Sequence, residues 1–402
     1  MSVNWNQRAT SSILHGALTN SKRPMCFVRG VYPTHLTRGN VNFVWDSNGK
    51  RYVDYICGLG SNMFGYANHE INQAVKAQLD RGTLYSLSST LEVEAAEIIK
   101  EEVPFVRLLR FMKGGTAACN AAVKIARSVT KRNQILTEGY HGWGDEFVSI
   151  SPPGLGIPPQ SHISKLIDLE QISEETACVI VEPIITDFSK TRIEWLNQLK
   201  AKCNKVGAVL IFDEIITGFR WPSRTVSQYY GIQPDIICLG KCLGGGVDIS
   251  IVGLNEKTSL VANELEWFVS GTFFGDNLGF AALKKVVELQ RGKYNINKLW
   301  EQGHEFILRF NEAMSGAVYI EGYPTRGVFK AKDDLTKALF FQEACKAGLL
   351  FGPSFFYNYH HHEQDDFTLS TCKDIAVRIK SGMIKLEGEM PTTPFAQKIR
   401  ST

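Results

Sequence analysis

Between residues 134 and 252 the chain alternates short, nearly unbroken apolar runs with longer stretches of helical period. The runs are Ile135-Leu136, Cys178-Val179-Ile180-Val181, Val209-Leu210-Ile211-Phe212, Ile236-Ile237-Cys238-Leu239 and Ile249-Ser250-Ile251-Val252. Runs with no polar face belong to strands covered on both sides, which predicts a parallel sheet between helices. Upstream, Val41–Asp46 and Arg51–Tyr55 flank Ser47-Asn48-Gly49-Lys50, a β-hairpin with an Asn-Gly turn. Residues 1 to about 20 predict a polar amphipathic helix. Ile71, Val75 and Leu79, then Leu91, Ala95, Ile98 and Ile99, recur at the three–four spacing of helices. Residues 279–290 continue that pattern. Past residue 300 a second pattern begins: a helix over 299–314, strands within 317–332, a helix over 334–347, a strand at 349–351 and a closing helix over 373–388. The organisation expected is an N-terminal segment 1–55 belonging with the smaller domain, a large α/β domain over 56–295 and a small α+β domain over 296–402. No internal repeat or low-complexity linker interrupts it.

Composition narrows the partners. The 402 residues are 44% apolar and 21% charged, ordinary for a globular protein with a large core. A net charge of +3 with no block of like charges excludes a nucleic-acid arm or basic stripe. The nine cysteines form no Cys-x-x-Cys pair and read as free thiols in a reducing compartment, with Cys242 a small apolar filler. The first residues carry no charged region followed by an apolar one, and no apolar run approaches the ~20 residues that span a bilayer. A cytoplasmic protein without a membrane partner is expected.

Candidate chemistry centres on Leu239-Gly240-Lys241-Cys242-Leu243-Gly244-Gly245-Gly246. A lysine among glycines, just past a buried strand, is an amine that backbone can crowd against a planar ligand. Asp213 stands 28 residues earlier, at the end of the preceding apolar strand. An amine and a carboxylate at the ends of successive strands suit pyridoxal phosphate (PLP): a Schiff base to the lysine, and an acid that keeps the pyridine nitrogen protonated. Gly114-Gly115-Thr116 opens a helical stretch, and unpaired N–H groups at such a start suit the cofactor phosphate.

The order Asp213-Glu214-x-x-x-Gly218-Phe219-Arg220, then Pro234-Asp235-Ile236-x-x-x-Gly240-Lys241-x-x-Gly244-Gly245-Gly246, resembles the class III, fold type I PLP aminotransferases, within them the glutamate-1-semialdehyde aminomutase-like branch. The resemblance covers residues from about 30 to 390. It implies a three-layer α/β/α domain with a mostly parallel, mixed sheet and a smaller α+β domain. It also implies that Tyr140 stacks on one face of the pyridine ring and Ile215 packs on the other, with Glu182 near the cofactor end of the sheet. His141 is a neighbour that orients the ring hydroxyl or a substrate amine; a structural role for His141, and a loop-capping role for Glu182, stay open. Thr272 would donate its hydroxyl to the phosphate of the neighbouring subunit, so the active site would lie at a homodimer interface. Ser61, Asn62 and Trp143 fall where the acceptor pocket is built.

Several departures matter. Where the family reads Ser-Gly-Thr-Glu-Ala, this chain has Gly114-Gly115-Thr116-Ala117-Ala118, one hydroxyl and one acid fewer. Asp276-Asn277-Leu278 replaces the Asn-Pro of many relatives, and Asp187 stands where they carry a small or amide residue. Adjacent His360, His361 and His362 cannot all face one ion, so no metal is expected, and a loop at the active-site mouth is the reading taken. Three reactions remain: transfer of an amino group from a small amine or amino acid to a carbonyl acceptor; intramolecular aminomutation; or another PLP reaction such as decarboxylation, racemisation or elimination. The mutase would need a cationic grip from the N-terminal segment, where Arg29 and Arg38 flank His35.

Overall fold

A computed structural model describes residues 4–150, 156–158, 160–266 and 268–392. The chain divides into two compact units: residues 1–68 with 298–402, and residues 69–297.

In the first unit, β1 (Leu36–Asn40), β2 (Phe43–Asp46) and β3 (Arg51–Asp54) form a meander. The tight connection between β2 and β3 is the expected Asn-Gly hairpin. Asp46 Oδ1 accepts from the N–H groups of Asn48 and Lys50, and Gly49 takes φ 85°. Of the opening 20 residues, an α-helix spans Trp5–Ser12.

The second unit holds the large sheet. Its strands are β4 (Leu108–Met112), β5 (Gln134–Glu138), β6 (Ile163–Lys165), β7 (Thr176–Val181), β8 (Val209–Glu214), β9 (Ile236–Leu239) and β10 (Ser250–Leu254), in the order β4-β10-β9-β8-β7-β5-β6. β5 to β9 run parallel, and β10 is antiparallel to both β9 and β4. Every residue of β7, β8, β9 and β10 is buried, as two covered faces require. The helix Gly115–Thr130 packs across β7 to β10 through Ala118, Cys119, Ala122 and Ala126, small residues that let backbone approach sheet. The helix Lys190–Val206 packs on β7 and β8. The helix expected over 279–290 runs Asn277–Arg291, capped by Asp276.

The chain then returns to the first unit with a helix at Ile296–Met314, whose last seventeen residues belong to that unit. β11 (Val318–Tyr323), β12 (Arg326–Ala331) and β14 (Ser354–Phe356) make a three-stranded sheet, while β13 (Leu349–Leu350) joins β3 in parallel. Aromatic side chains fill this core: Phe306 and Phe355 stack 5.5 Å apart, and Tyr55 lies 4.2 Å from the ring of His361. The closing helix occupies Asp365–Lys380 rather than 373–388. Asp365 and Asp366 sit in its first turn, where acids favour a helix start, and Gly382 at φ 70° follows its end. Among the described residues no helix is long and apolar enough to cross a membrane.

Candidate active site

The sheet topology decides where the chemistry gathers. β4, β5, β7, β8 and β9 point the same way, so the segments leaving them emerge from one edge, where ligands bind in open α/β sheets. Those segments carry Gly114-Gly115-Thr116 after β4, Tyr140-His141 after β5, Glu182 after β7, Asp213 at the end of β8 with Ile215 behind it, and Lys241 after β9. In the β8–β9 register Asp213 lies opposite Cys238 and Glu214 opposite Leu239. Lys241 therefore begins two residues past the end of the strand beside Asp213. Its φ of 48° puts a non-glycine residue in the left-handed region, a conformation that marks functional turns.

Asp213 is buried and held by three donors. Its Oδ2 accepts from His141 Nδ1 at 2.8 Å and from Cys119 Sγ at 3.3 Å, and its Oδ1 accepts from the Ile215 N–H at 3.0 Å. His141 is buried too, edge-on to Phe147, and its Nε2 has no partner among the described residues. The ligand-type atoms of Cys119, His141 and Asp213 lie within 4.8 Å of one another, a closeness these hydrogen bonds account for. The Tyr140 N–H donates to Glu182 Oε1 at 2.8 Å, while the Tyr140 side chain stays 66% exposed. Partial burial, with the neighbouring Asp213 and Glu182 carboxylates, pushes the Tyr140 phenol up. Glu182, itself buried, thus ties the β5 and β7 ends together.

The helix start at Gly115 is held from behind. The Gly114 N–H donates to Asp248 Oδ1, and Ser250 Oγ donates to the Gly114 carbonyl. Gly114 takes φ 78°. A Cβ on Gly115 would stand 3.1 Å from Ile215, so bare backbone faces that side chain. Thr116 Oγ1 accepts from the N–H of Trp143, whose side chain is exposed, and a Cβ on Gly142 would come within 2.1 Å of the same oxygen. Glu214 fixes the loop after β8 by accepting from Thr217 Oγ1, the Val226 N–H and the Ser227 N–H; burial pushes its carboxyl up to about 7.

The remaining expected residues lie on other elements. Thr272 is exposed in the turn before the helix Asn277–Arg291. Ser61 and Asn62 belong to the first unit, in a turn where their N–H groups donate to the Gly58 and Cys57 carbonyls. Asp187 accepts from the Ser189 N–H and shapes the loop ahead of the helix Lys190–Val206. His361 lies in the first unit's aromatic core, with Nδ1 accepting from the Asn358 N–H and Nε2 against the Asp54 carbonyl. Two features had escaped the sequence reading. Cys119 reaches Asp213, signalled only by its place four residues after Gly115 on the sheet-facing side of the helix. Lys113 Nζ pairs with Asp276 Oδ2 at 2.6 Å, across 163 residues of sequence.

Comparison with known proteins places the chain in a family. The family model described as "Aminotransferase class-III" matches residues 28–156 and 158–356. The chain is 30% identical to glutamate-1-semialdehyde 2,1-aminomutase of Syntrophobacter fumaroxidans, over 87% of this chain and 92% of that protein. It is 28% identical to glutamate-1-semialdehyde 2,1-aminomutase 2 of Geobacillus thermodenitrificans, over 87% and 92%. Among solved structures, the PLP internal aldimine form of the FumI protein of Sphingopyxis sp. MTA144 superposes with a TM-score of 0.86 at 22% identity, covering 96% of this chain and 98% of that one. An omega-transaminase from Sphaerobacter thermophilus gives 0.78 at 20% identity, covering 94% and 98%. With the matched family model spanning most of its length, the chain belongs to the class III aminotransferases, PLP-dependent enzymes of fold type I.

Proposed function

We propose that this enzyme moves an amino group between a small amine or amino-acid donor and a carbonyl acceptor, using PLP held at the edge formed by the ends of β4, β5, β7, β8 and β9. The observation that carries the reading is the placement of Asp213, held by three donors that leave an acceptor site on Oδ1, beside the strand end that leads to Lys241. The residues fit the group: a buried carboxylate for the ring nitrogen, an exposed Tyr140 ring and the Ile215 side chain for its two faces, and a glycine-lined helix start for its phosphate. When bound, PLP supplies an electron sink for charge developing at the substrate carbon.

The protein's own groups do the rest. Lys241 Nζ would hold the cofactor and would carry a proton to and from the substrate carbon. Asp213 keeps a proton on the ring nitrogen, and His141 Nδ1 orients Asp213. Tyr140 and Ile215 exclude water from the ring. The N–H groups of Gly115 and Thr116, with the helix dipole, bind phosphate, and Glu182 positions Tyr140. Thr272, exposed in its own chain, reaches the phosphate of a second copy, making the enzyme a homodimer with its site at the interface. Trp143, exposed beside the Thr116 hydroxyl, contacts the acceptor. Nine free cysteines support a reducing, cytoplasmic setting.

Intramolecular aminomutation is the second reading, favoured by the names of the curated relatives. Against it, the Arg29 guanidinium pairs with Glu389 and the Arg38 guanidinium lies 4.0 Å over the Trp45 ring, so the two arginines that flank His35 are engaged elsewhere. An amino-donor screen decides. Conversion of bound PLP to its amine form by simple donors, with release of a keto acid, identifies a transferase. Conversion only by a diamino or amino-carbonyl compound, with no keto acid, identifies the mutase. Borohydride trapping of cofactor that survives Lys241→Ala would overturn the lysine assignment in either case.

A further inference from the structure

Asp213 has one partner more than the orientation of a carboxylate by a histidine requires. Its Oδ2 takes both the His141 Nδ1 proton and the Cys119 thiol proton, while Oδ1 takes the Ile215 N–H. All three side chains are buried: Asp213 is 5% exposed, His141 3% and Cys119 1%. Cys119 sits one helical turn after Gly115, in the helix whose start lies against Ile215. The element that offers backbone N–H groups at its first turn thus delivers a thiol to the acid from its second. Cys119 also touches Cys238, which lies opposite Asp213 on β9. That contact, burial and the Asp213 charge push the Cys119 thiol well above the ordinary thiol range, so it remains a proton donor throughout the neutral region.

We propose that Cys119 is a positioning residue for Asp213: its thiol donates the hydrogen bond that, with His141 and the Ile215 N–H, fixes the carboxylate and so sets how firmly the cofactor ring nitrogen is held. The proposal rests on the reading of Asp213 as the ring-nitrogen partner. It also couples the two ends of the cofactor site, because a shift of the helix Gly115–Thr130 moves the phosphate cradle and the Asp213 clasp together.

The test uses the full-length protein with Cys119→Ser, which keeps a donor, and Cys119→Val, which keeps an apolar side chain without one. PLP affinity is measured by reconstituting apoenzyme, and the absorbance of bound PLP is titrated against pH. Cys119→Ser should hold PLP within about threefold of wild type, whereas Cys119→Val should bind roughly tenfold more weakly, as loss of one charge-assisted hydrogen bond implies. The absorbance midpoint should move in the valine variant alone. A packing role would instead lower the melting temperature with affinity and midpoint unchanged, and that result, or equal losses in both variants, overturns the proposal. Asp213→Asn separates the two levels. If it keeps wild-type affinity and midpoint, the ring-nitrogen reading fails; if it loses them while Cys119→Val does not, only the present inference fails. Should the valine variant not fold, the S–H infrared band found by difference between wild type and Cys119→Ser provides the check. It should rise in frequency when Asp213→Asn is introduced; an unmoved band rejects the hydrogen bond.

Discussion

Two buried histidines, one in each unit, show how the same side chain can be given different partners. His361 is wholly buried in an aromatic core, and both ring nitrogens meet backbone: Nδ1 accepts from the Asn358 N–H, and Nε2 faces the Asp54 carbonyl. His141 is almost as buried, but its Nδ1 meets the Asp213 carboxylate and its Nε2 meets nothing among the described residues. Backbone partners fix one neutral tautomer and hold the chain. A carboxylate partner lets the ring orient the acid to which the proposed function assigns the cofactor nitrogen. The difference lies in the partners, since burial is nearly equal.

The largest effect expected is on the chemical side. Lys241→Ala should reduce turnover by on the order of 10⁴ or more, because a proton carrier and a covalent anchor are lost together. Its urea-unfolding curve should overlay that of wild type; a broad stability loss would mean the lysine serves the fold. The mirror experiment is His361→Ala. It removes two buried hydrogen bonds and a ring stacked on Tyr55, and should cost about 3–5 kcal/mol in chemical denaturation. The fraction that remains folded should turn over normally, and lost turnover in that fraction would break the comparison.

His141→Ala comes next. Loss of one charge-assisted hydrogen bond of about 1.5–3 kcal/mol should lower kcat/KM roughly 10- to 100-fold, with partial rescue in His141→Asn, whose amide can donate to Asp213. Equal effects on stability and rate would erase the distinction from His361. The smallest effect is a pH dependence. Burial lowers the His361 imidazole to about 3, so the folded state disfavours the proton that the unfolded chain accepts near 6.5. Its contribution to stability is therefore complete above pH 6.5 and is lost as pH falls from there toward 3, at up to about 1.4 kcal/mol per pH unit. Unfolding free energies at pH 7.5 and 5.5 should differ by this slope in wild type and less in His361→Gln.

How legible each region was follows from how local its signal is. β7, β8 and β9 were readable because strands buried on both faces must be apolar along their length, and the Asn-Gly hairpin because its turn is a property of adjacent residues. β4 was missed: its exposure alternates, and Arg110 interrupts the apolar run. β6 has only three residues. The partners of His361 are not legible in the sequence, because Tyr55 and Asp54 lie some 300 residues away, beyond the reach of any pattern.

By itself the sequence determined the strand ends that carry Asp213 and Lys241, the glycine-rich helix start and the family, because these depend on residue types at fixed short spacings. Tertiary structure alone decided which side chains close around the acid. The antiparallel placement of β10 brings Asp248 and Ser250 to Gly114, and the helix Gly115–Thr130 delivers Cys119 to Asp213 across 94 residues of chain. Hydrogen bonds are made in space, and nothing in the local order of residues records which distant donor will arrive.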